Sequence, residues 1–135
     1  MRQLVDMLKR GDCTLAMRCA DGSVHTYNER GVKTLYTLLT THPELLQGAI
    51  VADRVVGRGA AALMIAGGVA QLHALVASES AIALLETSSV VFTSSQCVPA
   101  IINRAGTGPC PVEALTADAP TIADAISRIA TFLSQ

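Results

Sequence analysis

The segment "NRAGTGPCPVE", residues 103–113, gathers two glycines, two prolines, a cysteine, an arginine and a glutamate directly after an apolar run. Asn103, Gly106 and Gly108 tolerate left-handed backbone geometry, which suggests a looped path with amides pointing inward and Thr107 as a hydroxyl among them. Arg104 supplies a planar fork for a carboxylate or phosphate, or equally a partner for Asp53 or Glu113 within the chain. Cys110 precedes Pro111, a favoured first helical residue, which puts its sulfur near positive helix-end amides. Such a position lowers a thiol's pKa and suits a nucleophile, whereas a lone cysteine is also commonly a small buried hydrophobe. Glu113 fits the first turn of the helix that follows.

Two further loops carry charge. "NERG" (28–31) holds Glu29, Arg30 and Gly31, with Lys33 just beyond it. "ADRVVGRG" (52–59) holds Asp53, Arg54, Gly57 and Arg58. Gly57 and Gly59 at a helix start cost about 1 kcal/mol each relative to alanine, which close approach by a ligand or tight helix–strand packing would justify. If the three loops meet, Glu29, Arg30, Gly31, Asp53, Gly57, Arg58, Asn103, Arg104, Gly106, Thr107 and Glu113 form the ligand-binding set. Cys110 and Asp53 are then the catalytic candidates.

The elements that must position these loops are legible from periodicity. Residues 2–10 carry Leu4, Val5 and Leu8 at helical spacing. "CTLAMRC" (13–19) and "SVHTYN" (23–28) alternate around the turn "ADG" and predict a β-hairpin. A helix follows over 30–43, limited by Pro43. "GAIVAD" (48–53) predicts a short buried strand, 55–68 a helix with a Gly-Gly stop, 70–77 a strand, 78–89 a helix capped by Ser78 or Ser80, and 90–95 a strand. Residues 110–118 and 120–133 close the chain as one bent helix or two, with Thr121 and Asp124 at capping-box spacing. Alternating βα units after a hairpin predict a three-layer α-β-α sandwich. Its mixed five-stranded sheet has an antiparallel edge and helices on both faces. In such sheets ligands bind beyond the carboxyl ends of strands, where helix N-termini converge.

At 135 residues the chain fits one domain. Half its residues are hydrophobic and only four are aromatic (two Tyr, two Phe), so the core is built from Ala, Val, Leu and Ile. A net charge of −1 and scarce aromatics argue against nucleic acid as a partner. No apolar run is clean enough to span a bilayer, since residues 60–77 contain Gly-Gly, Gln71 and His73. The opening "MRQLVDMLKRGD" reads as an amphipathic helix, which points to the cytoplasm. The four cysteines form no CxxC pair and the three histidines are scattered, so no zinc signature and no cofactor are expected. Cys13 and Cys19 bracket one strand and are expected on the same side, about 20 Å apart. The apolar composition is compatible with a homo-oligomer.

Three segments, "RGVKTLYTLL", "GAIVADRVVGRGAAALMIAGG" and "VPAIINRAGTGPCPVE", resemble those of a family of small bacterial and archaeal proteins known only as a domain of unknown function. The likeness spans about residues 4–117 and leaves the last helix, 120–134, aside. It implies a fold related to cytidine deaminases, with a cleft formed by two helix N-termini. In deaminases the first of those helices begins with a His or Cys zinc ligand and a catalytic Glu, and the next with Pro-Cys-x-x-Cys. Here the corresponding places read "NERGVK" and "ADRVVGRG". Glu29 falls near the first without a His or Cys, and the second has no cysteine, so zinc-dependent deamination is not expected. Gly31, Asp53, Gly57, Asn103, Arg104, Gly106, Cys110, Pro111 and Glu113 fall where the family's characteristic residues lie.

Three functions fit this reading. The first is a metal-free binding protein for a small polar or anionic, nucleotide-like ligand, held by helix amides and Arg58 or Arg104. The second is an enzyme with Cys110 as nucleophile. The third is a structural or interaction protein whose 103–113 loop locks the C-terminal helices over the sheet.

Overall fold

A computed structural model describes residues 1–29, 32–102 and 110–134. The elements run α1 (Arg2–Lys9), β1 (Leu15–Arg18), β2 (Val24–Tyr27), α2 (Lys33–Thr41), α3 (Pro43–Leu46), β3 (Ile50–Val56), α4 (Arg58–Gly67), β4 (Gln71–Ser78), α5 (Glu79–Glu86), β5 (Val91–Val98), α6 (Pro111–Thr116) and α7 (Ile122–Leu133). The predicted hairpin forms β1 and β2. Its turn is closed by Cys19 N–H on Ser23 O (2.8 Å) and by Asp21 Oδ1, which accepts from both the N–H and the hydroxyl of Ser23. Gly22 sits there at φ +90°, a geometry that a side chain would strain.

The sheet order is β2-β1-β3-β4-β5. β1 pairs antiparallel with β2 and β3, whereas β3, β4 and β5 run parallel. The register sets Asp53 between Leu15 and Ala74, in the middle strand. This is the mixed five-stranded α/β sheet expected.

The two faces are unequally covered. Alternation along β1 and β3 sends Ala16 and Ala52 to one side, where Leu4 and Leu8 of α1 and Cys13 pack on them. Leu15, Met17 and Val51 point to the other side, into the main core with Leu35 and Leu38 of α2, Leu63 and Met64 of α4, Leu85 of α5 and Ile129 of α7. Helices thus lie on both faces, but a single short one covers the first. A small alanine cluster, Ala62, Ala119 and Ala125, seals α4 to the C-terminal helices.

Four expectations change. β3 does not end at Asp53 but continues to Val56, so Asp53 and Arg54 belong to a strand and the following connection reduces to Gly57. Arg54 is accommodated in a strand because its guanidinium turns onto the carbonyls of Leu8 and Cys13, each at 3.2 Å. The helix expected over 30–43 is observed from Lys33 to Thr41, and Pro43 opens the four-residue α3. β5 runs on to Val98, beyond the predicted end at 95. Cys13 and Cys19 lie in different core clusters, on opposite faces of the sheet, because β1 spans only Leu15–Arg18 and Cys13 precedes it.

Helix ends follow local chemistry. Ser78 caps α5, its Oγ accepting from Ala81 N–H at 3.1 Å, and Thr121 caps α7 through Asp124 N–H at 3.1 Å. Gly68 ends α4 at φ +78°. Among the described residues no helix is long and apolar enough to cross a membrane.

Candidate functional site

Beyond the carboxyl end of β3 lies a cavity of about 670 Å³. Thr14 and Leu15 of the hairpin, Glu29, and Val32, Thr34 and Leu35 at the start of α2 form one wall. Asp53, Arg54 and Val55 of β3, with Gly57, Gly59 and Ala60 at the start of α4, form a second. Ile101, Ile102, Cys110 to Glu113 and Phe132 complete it. The volume falls in the range of small-molecule sites, and the apolar lining with few polar groups is the usual composition of one.

Asp53 is the acid of the central strand. It is half-buried, facing the cavity, and among the described residues it has no ion-pair partner. Burial pushes its carboxyl up to about 7, while the backbone N–H groups of Arg54 and Val55 pull weakly the other way. Such a group holds or releases a proton near neutrality.

Glu113 is a different kind of acid. It is 7 % exposed. Its Oε1 accepts from Ser78 Oγ at 2.8 Å and from Arg58 N–H at 3.4 Å, so one carboxylate oxygen joins the N-termini of α4 and α5. Its Oε2 is buried with no hydrogen-bond partner among the described residues. That oxygen explains Gly57. The backbone there, at φ −97°, is open to any residue, but a Cβ would stand 2.6 Å from Glu113 Oε2. Gly59 is excluded from carrying a side chain in the same way, by Val112 Cγ1 at 2.5 Å. Packing within the protein therefore accounts for both glycines.

A second buried oxygen lacks a partner among the described residues. Thr34 Oγ1, in the first turn of α2, belongs to a residue 9 % exposed that lines the same cavity. Orphaned buried polar atoms cost about 1–3 kcal/mol each and are rare in folded proteins. Thr34 carried no sequence signal, because a threonine at the start of a helix has nothing to set it apart. Thr14 was missed similarly; its hydroxyl contacts Tyr27 O (3.0 Å) and Glu29 O (2.8 Å), closing the entrance to α2.

The remaining candidates divide. Glu29 is exposed at the rim. Arg58 starts α4, but its Nε donates to Thr116 O at 3.0 Å and its side chain is spent on the end of α6. Cys110 is half-buried on the cavity wall as the N-cap residue of α6, with its N–H on Ile101 O at 2.8 Å. Lys33 is exposed. Arg30, Gly31, Asn103, Arg104, Gly106 and Thr107 lie outside the described residues. The histidines are elsewhere: His25 contacts Ser23, His42 contacts Thr41, and His73 bridges Thr93 and Ser95 on the sheet. Among the described residues no group of three His, Cys, Asp or Glu could hold a metal ion.

With the geometry in place, comparison with known proteins identifies the fold. The crystal structure of a DUF1893 family protein (TM1506) from Thermotoga maritima superposes with a TM-score of 0.86. It is 22% identical and aligned over 97% of this chain and 88% of that one, a likeness that shows the fold alone. No curated protein matches the chain. The sequence model of the family described as "Domain of unknown function (DUF1893)" matches residues 3–133, and the chain belongs to that family.

Proposed function

We propose that the protein binds a small polar organic ligand in this cavity, on a scaffold related to the cytidine deaminases but without their metal chemistry. One observation carries the reading. The two buried side-chain oxygens without partners among the described residues, Thr34 Oγ1 and Glu113 Oε2, both belong to residues that line one cavity, beside an acid whose carboxyl titrates near 7. Scattered orphans would be isolated defects. Two at one cavity are what a binding site looks like before its ligand supplies the missing partners. The deaminase relationship is supported by the mixed sheet with its antiparallel hairpin and by a cleft bordered by the starts of α2 and α4.

Cys110 offers the assay. Cys13 and Cys19 are buried, so in a Cys97→Ser background Cys110 is the accessible thiol. A panel of nucleosides, nucleotides, amines and amidines is screened for slower iodoacetamide labelling of Cys110 and a raised Tm. At least one member both protects and stabilises. If no compound in the panel does either, the binding reading falls.

A second reading is favoured by one fact: Cys110 and Asp53 line the same cavity. There Cys110 is the nucleophile and Asp53 the proton carrier. It requires iodoacetamide to label Cys110 markedly faster than a free thiol at neutral pH, and an ordinary rate removes it.

A further inference from the structure

We infer that the ligand is a hydrogen-bond donor: an aromatic or otherwise apolar body with an amidine, guanidine or amino-heterocycle edge whose N–H groups meet Glu113 Oε2 and Thr34 Oγ1. The inference deepens the binding reading and rests on it.

The polarity of the lining carries the choice. Glu113 Oε1 is already occupied by Ser78 and Arg58 N–H, so the unmet capacity is on Oε2, and a carboxylate oxygen can only accept. Thr34 Oγ1 adds a second unmet position, a hydroxyl that accepts or donates, so the choice of a donor rests on the carboxylate. Asp53 and Glu29 bring two more carboxyl groups to the same cavity. The guanidinium of Arg54, the cation among the described lining residues, is directed away onto Leu8 O and Cys13 O. An anion entering here would meet the carboxyl groups of Glu113, Asp53 and Glu29. A donor would satisfy oxygens that otherwise stay buried and unpaired. Around those oxygens Val32, Leu35, Val55, Ile101 and Phe132 supply apolar walls, which suit a ring. Arg58, the anion hand expected from sequence, is held by Thr116 O.

Isosteric probes of opposite polarity test this. Benzamidine, benzoate and inorganic phosphate are titrated into the full chain by calorimetry, with Cys110 protection placing each probe in the cavity. Benzamidine binds and protects, while benzoate and phosphate do neither. Thr34→Val, which swaps the orphan hydroxyl for a methyl, weakens benzamidine about three- to tenfold, the loss of one hydrogen bond. It leaves the Tm equal or higher, a result that loss of fold cannot mimic. Glu113→Gln weakens it more than tenfold. If benzoate or phosphate binds and protects while benzamidine does not, the cavity is a site but its ligand is an anion, and the inference fails alone. Unchanged benzamidine affinity in both variants also overturns it. Should no probe bind or protect, and the wider panel fail as well, the binding reading falls with it.

Discussion

Replacing Asp53 by asparagine removes one titrating carboxyl from the cavity at nearly constant shape. The folded protein holds this proton up to about pH 7, whereas the unfolded chain releases it near 3.8. Between those values the folded state binds more protons than the unfolded one, so this group makes stability fall as pH rises, with the loss complete above 7. A gap of about 3 units at about 1.4 kcal/mol each sets an upper limit of about 4 kcal/mol. Because the carboxyl faces a cavity that admits water, about 2 kcal/mol is the expected size. For a domain of this length that is about 6–10 °C in Tm. Scanning calorimetry of wild type and Asp53→Asn from pH 4.5 to 8.5 reads the difference directly. Subtraction matters, because His73, whose pKa burial and then Lys9 hold down, makes stability rise with pH over the lower part of the range. The two proteins converge at low pH, and Asp53→Asn becomes the more stable one above 7. Parallel curves, or a less stable Asp53→Asn at pH 8, would mean that Asp53 is held by a partner and not stranded by burial.

Other perturbations follow from the same geometry. Glu113→Ala leaves the Ser78 hydroxyl proton and Arg58 N–H without their acceptor and opens a void, costing about 2–4 kcal/mol by urea denaturation. Gly57→Ala costs about 1–3 kcal/mol in wild type but clearly less in Glu113→Ala, since the clashing oxygen is gone; additive losses would separate the two residues. Thr121→Ala removes the cap of α7 and lowers stability by about 1 kcal/mol, checked by the same denaturation.

Much of the architecture was legible because the hairpin, the alanine-rich helix and the later βα units obey simple periods. The misreadings have physical causes. Asp53-Arg54 reads as the end of a strand, yet β3 continues because Arg54 finds two carbonyls, Leu8 O on α1 and Cys13 O just before β1, 46 and 41 residues away in sequence. Cys13 and Cys19 were placed on one side by counting through a strand that is only four residues long. At the site, residue types were informative but roles were not. Gly57 and Glu113 both drew attention, but nothing local could say that the glycine makes room for the carboxylate, 56 residues later. Glu113 does stand in the first turn of α6, as expected, but its carboxylate reaches across to α4 and α5, which no local signal gives. Thr34 was invisible until the fold buried it. Contacts between distant segments decide these roles, and periodicity does not encode them.

A crystal structure of the protein soaked with benzamidine bears most directly on the cavity. The prediction is an amidine edge within about 3 Å of Glu113 Oε2 and Thr34 Oγ1, with the ring against Leu35 and Phe132. A cavity holding water alone at saturating probe, or an amidine bound elsewhere on the surface, would contradict it.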